Sequence, residues 1–575
     1  MPGDSTNVNN KSATQNTYDA IVIGSGISGG WAAKELTEKG LKVLMLERGR
    51  PHDHIKDYVS ASKDPWEFEH RGKAPLQYKK DNPVISRDWA MYGTAAQEAI
   101  LDSWVNEKEC PYVQEKPFAW WRSYQMGGRS LLWGRQSYRL SDLDFEANAK
   151  DGIAIDWPIR YKEMAPWYDY VEKFAGISGS MEGLAHLPDG HFLPPMELNV
   201  VEKDVAARIK QQYKDRHMII GRVANLTAPL QARTQCQYRN RCWEGCPFGG
   251  YFSTQSSTLP AATATGNLTV RPWSIVTKII YDKNTKKATG VEVLDAETNK
   301  TYEFNAKILF LNASALNSAW VLMNSATDIW SDGLGSSSGE LGHNIMDHHY
   351  MLGAQGTMEG YEDKTTYGRR ANGFYITRFA NLYGDKRDFL RGYGYQGSAS
   401  RAGWSREVAE LNTGGDFKEA LTEPGAWSIG ATGFGEILPY HDNKISLHKT
   451  VKDKWGLPVL TMDAGLKENE LKMRKDIIKE LVAMFEAAGV KNVTTWDKDY
   501  NIGQGIHEMG TARMGNDPKT SVLNSHNQVW DALNVFVTDG AAMTSSACQN
   551  PSLTYMALTA RAAAYAVSEL KKGNI

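Results

Sequence analysis

The feature that most constrains this chain is a glycine-rich turn placed between a strand-like run and a helix-like run near its start. Tyr18–Ile23 (YDAIVI) is short, apolar and β-branched, as a parallel strand buried on both faces should be. Gly24-Ser25-Gly26-Ile27-Ser28-Gly29-Gly30 follows, then a helical stretch over Trp31–Lys39. A second strand, Lys42–Leu46, ends in Glu47, 23 residues after Gly24. A lone GxGxxG says little, but with a strand before it, a helix after it and an acid at this distance it reads as a Rossmann dinucleotide turn. Gly24 makes the tight turn, Gly26 lets the backbone approach a pyrophosphate, and Gly29 lets helix and strand pack closely, with the helix N-terminus facing the phosphates. Glu47 can accept bonds from both ribose hydroxyls of an adenosine. Ser28, inside the turn, and Arg48, after the acid, are further candidate contacts.

The dinucleotide itself is decided by what comes next. No regular run of βαβ units follows Glu47; Pro51 to Pro117 is instead rich in Trp, Pro and Gly. An NAD enzyme would continue its sheet directly, so an extended FAD site is expected. A chain of 575 residues predicts two domains. A net charge of −2 offers no nucleic-acid footprint, and no run approaches the roughly 20 apolar residues of a membrane helix. Residues 1–16 are polar and rich in Ser, Asn and Thr, and read as a disordered leader without an export signal. With 18 Trp and 26 Tyr the chain has ample rings on which a sugar could stack, or with which to fill a large core.

Several later segments resemble one family, the glucose–methanol–choline (GMC) oxidoreductases. Met126-Gly127-Gly128-Arg129-Ser130-Leu131-Leu132-Trp133-Gly134 is similar to the family's second Gly-rich segment, which runs along the flavin. Asp156-Trp157-Pro158-Ile159 resembles its entry to the substrate domain. Val276, within Trp273–Ile280, falls where the family runs a strand past the adenine, and Leu341–His348 resembles its G-x-N-x-x-D-H turn. The chain departs at Ala313-Ser314-Ala315, where the family usually has Ala-Gly-Ala. The most specific match is C-terminal: His507-Glu508-Met509-Gly510-Thr511-Ala512-Arg513-Met514-Gly515, then Val537-Thr538-Asp539-Gly540, then Ser545–Thr554. The likeness runs from about Tyr18 to the end.

The resemblance implies a Rossmann-type α/β FAD domain intertwined with an α+β substrate domain whose sheet roofs the flavin. On this chain the FAD domain would take residues 17–50, 83–156, 225–347 and 501–575, and the substrate domain 157–224 and 348–500. It also implies His507 and Asn550 as the catalytic pair beside the flavin. A neutral imidazole suits a general base, while Asn550 cannot titrate and can donate a hydrogen bond to the substrate oxygen. Asn before Pro551 is equally a helix start. Asp539, with Gly540, is expected on the ribityl or pyrophosphate side, and Gly127, Gly128 and Ser130 along the flavin. Tyr375, Arg378, Tyr393, Tyr395, Gln396 and Trp427 fall in the expected roof, where they could hold a sugar or pack as ordinary strand residues.

Three of the five cysteines, Cys236, Cys242 and Cys246, lie within eleven residues, the last followed by Pro247. No His is near, which disfavours zinc, and three thiols do not pair as disulfides. Thiolates with a Pro after the last are typical of iron–sulfur ligation, and three ligands suit a 3Fe-4S cluster; a structural loop is the alternative. The spacing resembles that of the catalytic subunits of bacterial sugar dehydrogenases in this family. That branch implies a sugar or glycoside substrate, a small export subunit and a cytochrome acceptor. The chain would assemble in the cytoplasm and reach the periplasm only by co-export. The run Phe389–Gly394 resembles the glucoside 3-dehydrogenase branch, which oxidises the C3 hydroxyl of glucosides and disaccharides. The competing expectations are an oxygen-using oxidase and a glucose, gluconate or polyol dehydrogenase.

Overall fold

The computed structural model describes residues 16–92, 98–366, 368–402 and 425–575, together with 415, 418 and 422. The expected leader lies outside these residues apart from Asn16, which is buried and donates from Nδ2 to the Glu303 carbonyl at 3.2 Å.

The opening run forms the strand Thr17–Ile23, the helix Ile27–Glu38 and the strand Val43–Leu46. These join an eight-stranded sheet in which Ala532–Val537, Thr301–Leu311, Thr17–Ile23, Val43–Leu46 and Leu268–Arg271 lie side by side and parallel. Ser274–Asp282 and Lys287–Asp295 extend it as an antiparallel meander. The near-continuous apolar run of these strands follows from burial on both faces. Ala20, Val22, Val43 and Met45 pack against helices Ile27–Glu38 and Ser552–Lys572. Ile21, Ile23, Leu44 and Leu46 point the other way, into a larger core with Val276, Val291 and Phe304.

A second, seven-stranded sheet has the order Lys491–Asp497, Leu352–Met358, Trp427–Glu436, Tyr393–Arg401, Phe374–Ile376, Met218–Ile220, with His348–His349 paired to Trp427–Glu436. Every pairing in it is antiparallel. Alternation turns Tyr393, Tyr395, Trp427, Ile429 and Ala431 toward the amphipathic helix Glu468–Ala487, whose Met473, Ile477, Leu481 and Met484 complete this core.

Two stretches assigned to the second domain from sequence pack with the first core. Helix Tyr161–Ala175 lays Met164, Tyr168, Val171 and Ala175 there, and the Tyr168 hydroxyl meets Thr554 Oγ1 at 2.8 Å. Strand Lys444–Lys452 pairs with Pro458–Asp463, which pairs in turn with Val113–Gln114, and the first two contribute Ile445, Leu460 and Met462. An apolar stripe on a helix marks a buried face, but not which core buries it.

The tightest point of the fold is the crossing of the first helix over its turn. A Cβ on Gly29 would lie 1.9 Å from the Gly24 carbonyl oxygen. Gly29→Ala should therefore cost about 2 kcal/mol or more and lower the flavin-to-protein ratio of purified protein; chemical unfolding and absorbance measure both.

Candidate active site

The parallel strands end together. Gly24, Glu47, Asn312 and Asp539 stand at or just past the carboxyl ends of four of them and all line one cleft, about 1570 Å³ of space with its open mouth included. Gly24 adopts φ +95°, and a Cβ there would lie 2.4 Å from the Asn312 carbonyl. Gly26 caps the first helix without a side-chain hydrogen bond, and a Cβ on it would meet nothing within 4 Å. Backbone N–H groups thus face open space at a helix N-terminus, the arrangement an anion requires.

A hydrogen-bond chain joins the two Gly-rich segments. The Gly127 N–H donates to Ser25 Oγ at 2.9 Å, and Ser25 Oγ donates to Glu47 Oε2 at 2.6 Å. The other Glu47 oxygen accepts from the Gly49 N–H at 2.8 Å. Burial raises the Glu47 pKa against these bonds. Gly127 takes φ +87° and Gly128 φ +48°, and Gly128 passes beside Gly26. Ser130 Oγ donates to the Gly127 carbonyl at 2.6 Å and accepts from the Thr254 N–H at 3.1 Å. Of the sequence-derived cofactor candidates, Gly24, Gly26, Ser28, Glu47, Arg48, Gly128, Ser130, Val276, Asp539 and Gly540 line the cleft. Gly29 and Gly127 do not; they shape the backbone behind it.

At one part of the same cleft stand His507 and Asn550. His507 Nδ1 lies 2.9 Å from His348 Nδ1, the rings perpendicular, and His348 Nε2 meets the Ala547 carbonyl at 2.8 Å. Burial, with His348 and the Arg129 guanidinium beside it, holds His507 well below its ordinary pKa; burial takes His348 down to about 4. Asn550 Oδ1 accepts from Gln396 Nε2 at 2.6 Å. The Asp347 carboxylate accepts from the N–H groups of His348, Gly503, Gly505 and His507 and from the Tyr500 hydroxyl, at 2.8–3.1 Å. Arg129 and Glu508 form a two-pronged ion pair beside it, at 3.2 and 2.7 Å. Ile506 (φ +52°) and Ala547 (φ +57°), which flank this cluster, both hold the left-handed conformation that non-glycine residues avoid.

The expected roof residues divide. Tyr393, Tyr395 and Trp427 are buried in the second core, with their polar atoms satisfied by Asp476, the Ile477 carbonyl and the Tyr361 carbonyl. Tyr375 stacks on Tyr138 at 4.3 Å, and Arg378 is buried with Nε on the Ala380 carbonyl. None of these five lines the cleft. Gln396, one position past Tyr395 and so on the opposite face of the sheet, reaches Asn550. The three clustered cysteines line a second pocket with Arg239, Arg241 and Tyr251. They do not converge on a point: among the described residues no three His, Cys, Asp or Glu side chains form a single-ion site. Backbone N–H groups point at two of the sulfurs, Tyr238 to Cys236 at 3.5 Å and Gly250 to Cys246 at 3.3 Å.

Comparison with known proteins adds the family. GMC oxidoreductase models match residues 18–350 and 439–559. The chain belongs to the GMC oxidoreductase family. It is 29% identical to 2-methyl-1,2-propanediol dehydrogenase of Mycolicibacterium austroafricanum, over 95% of this chain and 94% of that one. It is 25% identical to the fructose dehydrogenase large subunit of Gluconobacter japonicus, over 96% and 98%. The formate oxidase of Aspergillus oryzae RIB40 shares its fold at 12% identity and a TM-score of 0.58, over 97% of this chain and 99% of that one. Among the described residues of this oxidoreductase no helix is long and apolar enough to cross a membrane.

The cleft fits FAD. Besides the open space at Gly26, the buried polar atoms Ser28 Oγ, Arg48 Nε, Ser123 Oγ, Asn312 Oδ1 and Tyr555 Oη belong to residues that line it and have no protein partner. Such a row of unsatisfied groups suits a long polar ligand. Ser25, Asp347 and His348 take no assigned role in the sequence reading. Ser25 carries a weak signal, a hydroxyl between two turn glycines, whereas the contacts of the other two span more than 150 residues.

Ser314, where the family usually has glycine, sits at φ +78°, ψ +157°, a region nearly confined to glycine. The buried Asp539 carboxylate accepts the Ser314 N–H and the Ser318 hydroxyl, which hold this turn in place. Ser314→Gly should raise stability by about 1 kcal/mol by relieving that strain, measured as a shift in the urea unfolding midpoint.

Proposed function

We propose that the chain is an FAD-dependent dehydrogenase that oxidises a hydroxyl of a sugar or polyol. The observation that carries this reading is the presence of His507 and Asn550 in the same cleft as the Gly24–Gly29 turn. The N–H groups of that turn would hold the pyrophosphate, with Gly29 and Gly127 setting the approach. Glu47 would take the ribose hydroxyls, and Val276 would lie along the adenine. Ser28 and Arg48 would add polar contacts. Gly127, Gly128 and Ser130 would run beside the flavin, and Asp539 and Gly540 beside its ribityl chain. FAD held there would supply the hydride acceptor for the carbinol carbon.

The chain's own residues handle the proton and the oxygen. His507 accepts the hydroxyl proton, and Asn550, whose carbonyl oxygen is occupied by Gln396, offers its amide N–H groups to the substrate oxygen. A depressed pKa keeps His507 neutral, and so competent as a base, at pH values where an ordinary imidazole is charged. The narrower reading, oxidation at C3 of glucosides or disaccharides, rests on the resemblance of Phe389–Gly394. Phe389 and Tyr393 of that run pack in the second core and Arg391 pairs with Asp151, so it would act on substrate choice only indirectly.

Cys236, Cys242 and Cys246 would hold a 3Fe-4S cluster. Three thiols around one pocket, N–H donors aimed at two sulfurs and arginines rather than carboxylates in the lining suit an anionic cluster. Such a cluster would supply one-electron transfer to an outside acceptor, which we take to be a cytochrome. A small subunit carrying the export signal would bring the complex to the periplasm.

His507→Ala should retain FAD and lose about 10²–10⁴ in turnover; a variant within a few-fold of wild type at saturating substrate removes His507 from the mechanism. The sign of its pKa shift sets the pH profile. Lowering favours the neutral base, so kcat/KM should stay level as pH falls through 6.5 and decline only well below that value. Replacing the three cysteines by Ser should abolish bound iron and slow reduction of a one-electron dye while the substrate still reduces the flavin. Anaerobically purified protein without iron and acid-labile sulfide, reoxidised quickly by oxygen, would instead support an oxidase with a structural cysteine loop.

A further inference from the structure

The bonding order around the histidine pair determines where its protons sit. The Ala547 carbonyl can only accept, so His348 Nε2 carries a proton. His348 is buried, and its ring makes no ion pair among the described residues, so it is neutral and its Nδ1 presents a lone pair. Two lone pairs facing each other at 2.9 Å would repel, and His507 Nδ1 must therefore donate. That leaves His507 Nε2 bare on a ring that lines the cleft, with no hydrogen-bond partner among the described residues. We propose that His348 is a positioning residue that locks His507 in the tautomer protonated on Nδ1, so that Nε2 is the atom that receives the substrate proton.

Backbone geometry gives the lock its rigidity. A single oxygen of Asp347 accepts both the His348 N–H, at 2.8 Å, and the His507 N–H, at 3.1 Å. The two rings are thus fixed from behind as well as through their nitrogens. At the far end, Ala547 presents its carbonyl from the left-handed conformation at φ +57°. His348 itself does not line the cleft, so it touches neither substrate nor cofactor and acts through His507. Without an acceptor at its Nδ1, His507 would also populate the other tautomer, in which Nε2 already carries a proton and cannot receive the substrate's.

The inference rests on the reading of His507 as the proton acceptor, and its test separates the two. His348→Gln keeps a donor for the Ala547 carbonyl but places no acceptor against His507; His348→Asn can put a carbonyl oxygen where the Nδ1 lone pair stood. The rate of flavin reduction is measured anaerobically with 2-methyl-1,2-propanediol, fructose or sucrose, whichever reduces the wild type fastest. His348→Gln should fall about 10–100-fold with the apparent substrate dissociation constant within a few-fold, and His348→Asn should recover most of the rate. The double variant with His507→Ala should be no slower than His507→Ala alone, because a residue that acts only through His507 has nothing left to act on. A slow His507→Ala beside a His348→Gln at the wild-type rate, or two losses that multiply in the double variant, overturns the proposal. His507→Ala at the wild-type rate removes the base itself. Ring ¹⁵N spectra of histidine-labelled protein, with His507 assigned by difference, read the tautomer without turnover: protonated Nδ1 and bare Nε2 are expected, and the reverse overturns the lock.

Discussion

The site hangs on one buried carboxylate. Asp347 ends the turn that leaves the first core and begins the short strand His348–His349 of the second sheet. Its two oxygens accept five donors: four backbone N–H groups, including those of His348 and His507, and the Tyr500 hydroxyl. A carboxylate so placed does not tolerate a shift of the loop 503–507, since moving it would strand several donors at once. Burial, then the nearby Glu508, pushes its pKa up to about 7 against the pull of these hydrogen bonds. A cluster built this way can support the strained backbone at Ile506 and Ala547.

The rest of the cleft is a consequence of parallel strands. Because the strands that carry Gly24, Glu47, Asn312 and Asp539 run the same way, their ends deliver four turns to one edge without any long-range design. The second sheet brings two contacts to that edge: His348 to His507, and Gln396 to Asn550. One orients an imidazole and the other an amide. On the proposed reading they set an acceptor and a donor for a hydroxyl that must lose a proton while charge builds on its oxygen.

Sequence made the first half of this legible. The Gly24–Gly29 turn and Glu47 could be read because each residue answers a local backbone demand: a positive φ, a close approach, a helix end. His507, which lines the cleft, could be singled out because it opens a distinctive glycine-rich segment. What could not be read was which face of a strand is covered. Alternation puts Tyr393 and Tyr395 on one face of their strand, but it is silent on whether the helix Glu468–Ala487 or the cleft lies over them, and the helix does. The same limit hid His348, 159 residues from its partner, and moved helix Tyr161–Ala175 to the first core. Ser314 was visible as a departure from a pattern, while its cost became visible only as a backbone angle.

All of this comes down to whether the cleft removes a hydride and a proton from a hydroxyl. An anaerobic absorbance spectrum of the flavin-loaded protein, recorded before and after addition of a panel of sugars, polyols and diols, tests that most directly. The account predicts that at least one of them bleaches the oxidised flavin band without any added electron acceptor. A flavin that dithionite reduces but no hydroxyl compound in the panel does would contradict it.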